Sequence, residues 1–223
     1  MRKTWQQRLR RLWRQAQRTR VTRAHLPWIV LVLAIVAATW LTLPRTPAPM
    51  PATTRTAVEI GGPFALIGPG GAPITDKSFP GKYLLIFFGY TYCPDVCPTT
   101  LTSVAGALDR LGPLAAKIQP LFITVDPQRD TVDVLQSYVG HFDKRIIGLT
   151  GSPASIEAAE KAYRVYAAPS RTGDGPNDYL MDHSAIVYLM DPQGAFVTVL
   201  DHASPAEQMA KDLTSVLTQD KAG

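Results

Sequence analysis

Acidic residues are missing from the first 58 positions of this 223-residue chain, where the first is Glu59. The first 23 residues hold nine Lys/Arg, from Arg2 to Arg23. From residue 56 onward the balance reverses, with 12 basic against 18 acidic residues and a net charge of −6. The pI of about 9.3 therefore belongs to the leader. A body of that sign repels phosphate, which excludes nucleic acid as a partner read from charge. Cysteine is scarce, with only Cys93 and Cys97. A bridge between two residues so close would close a tiny loop and constrain little of the unfolded chain. No such staple is needed, because 168 residues suffice for one core. The glycine-rich stretch GGPFALIGPGG (61–71) lacks the Lys-Ser/Thr of a phosphate loop and reads as turns. There are no internal repeats.

Charge is also absent from Leu26 to Leu43, an apolar run of 18 residues. As a helix at ~1.5 Å per residue it would be ~27 Å long, close to the ~30 Å hydrocarbon core of a bilayer. Trp28 and Trp40 stand near its ends, where aromatic belts lie. The run exceeds the h-region of a cleaved signal, and no A-x-A follows it. The reading is a basic cytoplasmic leader (1–25), one transmembrane helix (26–43), a stiff proline-rich tether (44–58) and a body (59–223) across the membrane.

In the body, KYLLIFFGY (82–90) and PLFITVD (120–126) read as strands buried on both faces. RIIGLTG (145–151) is a shorter strand, and AIVYLMD and AFVTVLD (185–191, 195–201) form a hairpin. Helices are expected over 98–112, over 131–142 with Thr131 as cap, over 155–166 opened by Ser155, and over 204–218. A small hairpin precedes them around 62–80. The order β-α-β-α-β-α-β-β-α predicts a three-layer α/β/α sandwich of the thioredoxin type.

Both cysteines precede prolines, which push the preceding residue away from the α region. CPDVCP is therefore expected as a constrained loop leading into the 98–112 helix. Thiols there would feel the positive end of the helix dipole, which favours the thiolate. Three intervening residues differ from the C-x-x-C of dithiol oxidoreductases. Two soft sulfurs suit Cu(I), and an added imidazole also admits Cu(II). Of four histidines, His25 flanks the apolar run, His141 ends a helix and His202 follows a strand. His183 lies in the segment before the final hairpin, which in a thioredoxin-type fold faces the first βα loop. Dithiol oxidoreductases of that fold carry a proline there, and this segment has none. A lone histidine in a loop is also a common structural residue, and spacing leaves the choice open.

The segments GKYLLIFFGYTYCPDVCPTTL, FITVDPQRDT, GLTGSPASIEAAEKAYRVY and YLMDHSAIVYLMDPQG, taken in this order, resemble the Sco/SenC family of copper proteins for cytochrome c oxidase assembly. The resemblance runs over about residues 60–218. It implies a copper site of Cys93, Cys97 and His183, binding Cu(I) and, with the imidazole, Cu(II). It further implies a membrane-tethered chaperone that delivers copper to the dinuclear centre of oxidase subunit II, or a reductase that keeps the cysteines of that subunit reduced. Another copper chaperone is the candidate donor. A bacterial inner membrane with the body in the periplasm is the expected location, with the mitochondrial inner membrane facing the intermembrane space as the alternative.

Around these ligands, Asp126 and Asp130 are candidates to tune the site or position His183. The plainer reading makes Asp126 and Thr131 helix caps and pairs Arg129 locally. Asp182 is a candidate to orient the imidazole, Asp95 to cap the helix, and Met181 to serve as core. Tyr92 stands where many relatives carry a histidine.

Overall fold

In the computed structural model, residues 27–39 and 60–219 are described. The chain divides between Arg55 and Thr56 into two units. In the first, residues 27–39 form a helix, α1. Among the described residues no helix is long and apolar enough to cross a membrane. The expected span of 26–43 extends past α1 at both ends. Its remaining residues, the leader and the tether lie outside the described residues, as does His25.

The second unit opens with a small hairpin, β1 (Ala65–Ile67) against β2 (Pro73–Thr75), as the turn-rich sequence predicts. Then follow β3 (Tyr83–Gly89), α2 (Val96–Leu111), β4 (Ile118–Thr124), α3 (Val132–Gly140), β5 (Ile147–Leu149) and α4 (Pro153–Tyr163). A second hairpin, β6 (Ala167–Arg171) and β7 (Tyr179–His183), leads to β8 (Ile186–Met190), β9 (Phe196–Asp201) and the closing α5 (Ala206–Gln219). The main sheet has the order β5-β4-β3-β8-β9. Its first three strands are parallel, and β8 and β9 are antiparallel to their neighbours.

Strand β3 is central, and all seven of its residues are buried. That burial explains its unbroken apolar sequence, because neither face meets water. The crossovers β3-α2-β4 and β4-α3-β5 step in the same direction, so a common right hand places α2 and α3 on one face. Side chains agree. Phe87 of β3 packs on Phe122 of β4, which packs on Tyr138 of α3. Gly89, two residues on from Phe87, faces the sulfur of Cys97 in α2. Helix α5 lies against α2. Across the sheet, Phe88 meets Tyr163 of α4 and Tyr188 of β8. Each such ring withdrawn from water contributes about 1.5–3 kcal/mol. The sandwich is thus of the expected thioredoxin-like kind.

Three local expectations need correction. Helix α2 starts at Val96, so Cys97 is helical and Pro98 occupies its third position. Proline is tolerated there because the N–H groups of a first turn have no intrahelical partner. Helix α4 is capped by Ser152, with Pro153 first, and Ser155 supplies the N–H that the Ser152 hydroxyl accepts. The segment before β8 is strand β7 of a hairpin, where a loop is expected. Thr131 caps α3 as anticipated, accepting from the Val134 N–H.

Gly89 shows how closely the sheet end is fitted to the cysteine helix. A Cβ built there would lie 2.7 Å from Cys97 Sγ and 2.7 Å from a carbon of the Phe122 ring. Neither neighbour has free space, since both side chains are fully buried. Gly89→Ala is expected to lower stability by about 1–3 kcal/mol, the usual penalty of overpacking. It should also displace the Cys97 sulfur. Chemical denaturation measures the first effect and the rate of Cys97 alkylation the second.

Candidate metal centre

The cysteine loop leaves the carboxyl end of β3 and turns at once into α2. Asp95 is the N-cap residue, yet its side chain makes no capping bond. Sulfur takes that role: the N–H of Cys97 donates to Cys93 Sγ at 3.4 Å. The N–H of Asp95 also faces Cys93 Sγ. Two orphan donors of a helix start thus converge on one sulfur, where the helix dipole favours negative charge.

Cys93 is half-buried and Cys97 fully buried, and both are reduced. Their acidities are pushed apart. The Cys97 thiol donates to Cys93 and, with the two N–H groups, holds Cys93 well below the usual thiol range against the opposing effect of burial. Cys97 is pushed far up, because its proton is engaged by Cys93 and its sulfur is buried. One thiolate shares one proton with its neighbour.

His183 ends β7, and its Nε2 lies 3.6 Å from Cys97 Sγ. Its Nδ1 is 3.2 Å from the carbonyl oxygen of Ser184. A carbonyl only accepts, so Nδ1 carries the proton and the Nε2 lone pair points at the sulfurs. Phe87 and Tyr90 hold the ring edge-on from two sides, at 6.3 and 5.8 Å between centroids. Cys93 Sγ, Cys97 Sγ and a ring nitrogen of His183 all lie within 4.8 Å of one another. Thiolate and imidazole bind first-row ions at ~2.0–2.3 Å. One ion among three such donors holds them roughly 3.5–4 Å apart, so the set fits after small adjustments.

The other expected residues are placed differently. Asp182 is exposed and alternates away from His183 along β7, and the partner that meets Nδ1 is the Ser184 carbonyl. Asp126 is buried and does not cap α3. It forms an ion pair with Arg129 and accepts from the Tyr179 hydroxyl at 2.9 Å. Asp130 is fully buried and accepts from the Thr91 N–H at 3.1 Å, the Thr91 hydroxyl at 2.6 Å and the Thr124 hydroxyl at 2.7 Å. Burial raises its pKa, against those hydrogen bonds. It ties the residue two before Cys93 to the end of β4. Tyr92 is exposed and lies 4.7 Å from the Arg129 guanidinium. His141 caps α3 with its ring on the Ser137 carbonyl, and His202 pairs with Asp201. A cleft of about 460 Å³ between α4, the β4–α3 loop and the second hairpin includes none of the three donors.

Sequence reading did not single out Gly89, Tyr90 or Tyr179. Gly89 carried a signal, since a glycine inside a buried strand marks a close approach.

Fold and donors together define a thioredoxin-fold protein with a dithiol–imidazole cluster at the mouth of its first βα unit. The SCO1/SenC family model matches residues 52–218, and the chain belongs to that family. Protein SenC of Rhodobacter capsulatus is 41% identical over 185 residues, 82% of this chain and 83% of that protein. The mitochondrial SCO1 homolog 1 of Arabidopsis thaliana is 45% identical over 139 residues, 62% of this chain and 41% of that relative. The chain thus spans about two fifths of that plant protein. The structure of Bradyrhizobium japonicum ScoI with copper bound superposes with a TM-score of 0.65 at 47% identity, covering 70% of this chain and 98% of that one.

The split acidities predict a split in reactivity. Cys93 should alkylate with iodoacetamide at a nearly constant rate between about pH 6 and 8, where an ordinary thiol slows about tenfold per unit. Cys97 should stay unmodified until the protein is denatured. Peptide mass spectrometry on the full-length protein reads both. Equal rates at the two cysteines would contradict the arrangement.

Proposed function

We propose that this protein is a membrane-tethered copper chaperone. It binds one copper ion through Cys93, Cys97 and His183 and serves assembly of the dinuclear copper centre in cytochrome c oxidase subunit II. The observation that carries this reading is the approach of an imidazole nitrogen to within 3.6 Å of a buried cysteine sulfur. The copper-bound ScoI structure supports the choice of ion.

The residues supply the chemistry as follows. Cys93 offers a thiolate held by two backbone N–H groups. Cys97 gives up its shared proton when an ion arrives, since a metal ligand must be deprotonated. His183 adds a neutral nitrogen with its lone pair already aimed. Soft sulfurs suit Cu(I), and the nitrogen extends the set to Cu(II). Half-exposure of Cys93 gives a partner's ligands access, so the ion can pass by ligand exchange. The donor before this step is another copper chaperone on this reading. The apolar run 26–43 and its basic flank anchor the chain in a bacterial inner membrane with the body in the periplasm. A mitochondrial inner membrane would give the same topology.

The lowered pKa of Cys93 favours a second reading, a thiol–disulfide reductase acting on the acceptor's cysteines. Its thiolate would attack an acceptor disulfide, releasing one acceptor thiolate and forming a mixed disulfide. Cys97 would then displace the second, leaving a Cys93–Cys97 disulfide and a reduced acceptor. His183 is dispensable for that exchange.

His183→Ala separates the two readings. It should weaken Cu(II) binding by more than the ~10–100-fold that follows loss of an outer-shell partner. It should also abolish part of the sulfur-to-copper charge-transfer absorption, while exchange with a model disulfide stays largely intact. Unchanged Cu(II) affinity, measured by competition on full-length protein in detergent, would refute the three-donor site.

A further inference from the structure

The second hairpin forms a two-stranded sheet of its own, separate from the five-stranded one. Yet β7 carries His183, whereas both cysteines depend on β3 and α2 of the main body. No strand ladder fixes the imidazole relative to the sulfurs. What joins the hairpin to the body beside the site is a cluster centred on Arg129, in the loop between β4 and α3.

Arg129 is nearly buried, with a side-chain exposure of 9%, and so is its partner Asp126. Its Nη1 donates to the carbonyl of Tyr179 at 3.0 Å and to that of Asn177 at 3.3 Å. Its guanidinium stacks on the Tyr179 ring at 3.6 Å. The Tyr179 hydroxyl returns to Asp126. Tyr179 opens the strand that His183 closes, and the residues between them form a single extended run. Tyr90 adds a second tie, its ring standing edge-on to that of His183 with centroids 5.8 Å apart. The planar fork of arginine can hold a carboxylate and two carbonyls together, which the point charge of lysine cannot.

We propose that Arg129 is a positioning residue for copper: with Asp126 and Tyr179 it latches the second hairpin to the β4–α3 loop and so fixes His183 against the two cysteines. This rests on the copper-site reading above. The hydrogen bonds of the latch all run to the imidazole half of the site, and on the dithiol side the guanidinium meets only the ring of exposed Tyr92 at 4.7 Å and that of Tyr90 at 5.9 Å, so the latch separates the two oxidation states. Cu(I), held by the sulfurs, is little affected by losing it. Cu(II), which needs the nitrogen, is strongly affected.

The test compares Arg129→Gln, Arg129→Lys, Tyr179→Phe and the charge-neutral pair Asp126→Asn/Arg129→Gln with His183→Ala, all in the full-length protein in detergent. The paired variant guards against misfolding from an unpaired buried carboxylate. In Arg129→Gln, or in the pair if that variant does not fold, Cu(II) affinity is expected to fall about tenfold or more while Cu(I) affinity stays within about threefold. Amide exchange should accelerate at 179–183 and stay unchanged in β3 and β4. Tyr179→Phe should shift both readouts the same way by less, and Arg129→Lys should rescue them only in part. Added to His183→Ala, the Arg129 change should have no further effect on Cu(II), because the interaction it supports is gone. An equal loss for both ions, no loss for either, or an additive loss on top of His183→Ala would overturn the latch. If His183→Ala itself leaves Cu(II) affinity unchanged, the copper-site reading fails whatever Arg129 does.

Discussion

The site depends on a contact between elements that share no backbone hydrogen-bond ladder. Cys93 and Cys97 are fixed by a buried central strand and the helix that follows it. His183 arrives from a hairpin outside that sheet, 86 residues after Cys97, and its nitrogen stops 3.6 Å from the Cys97 sulfur. Two features make the approach possible. Gly89 leaves the space that Cys97 Sγ occupies. Phe87 and Tyr90, from the same strand end, supply the walls against which the imidazole stands. The apolar run that builds the core thus also shapes the pocket for the ring.

Much of this was legible in the chain. Seven consecutive buried residues in β3 require an uninterrupted apolar stretch, and Tyr83–Gly89 supplies it. Thr131, placed before an amphipathic run, caps α3 as its hydroxyl chemistry suggests. The pairing of Cys93 and Cys97 with His183 followed from the resemblance of four ordered motifs, and the geometry brings the three donors together. What escaped the sequence depends on long-range partners. Pre-proline sterics argued that Cys97 is non-helical, but packing against Gly89 and the sheet overrode that local bias. Short β6 and β7 lack the strong apolar alternation of a half-buried strand, because one side is exposed and the other rests partly on polar groups. Asp182 lies beside the histidine in sequence, and strand alternation sends its side chain the other way. Asp126 looked like a cap, whereas its partner Tyr179 lies 53 residues on.

Electrostatics prepare the sulfurs before any ion arrives. An isolated buried thiolate would be expensive. Here the charge sits on Cys93, the more exposed sulfur, at a helix start and under two N–H groups, while the proton stays with buried Cys97. Asp130, bound to Thr91 two residues before Cys93, would oppose a thiolate if it were charged. Burial pushes its pKa up, against the three hydrogen bonds that its oxygens accept and that hold it in place. The arrangement keeps one negative charge on the two sulfurs where two would repel each other. A cation then replaces a single shared proton, and the accompanying rearrangement is small.

A chaperone must release what it binds, and the division of the site into two mechanical halves bears on that requirement. Donors locked into one rigid scaffold would hold an ion with no low-energy route to exchange. A dithiol on the main body with an imidazole on a separately anchored hairpin offers such a route on the proposed reading. Loss of the hairpin contact removes one donor without unfolding the core, because no ladder of the main sheet is broken. The ion left on two sulfurs is then open to an incoming ligand at the half-exposed Cys93. The anchor therefore has to be strong enough to keep His183 in place and local enough to yield. A buried arginine held by one carboxylate, two carbonyls and a stacked ring meets both conditions, because its bonds all lie within a single loop and one hairpin.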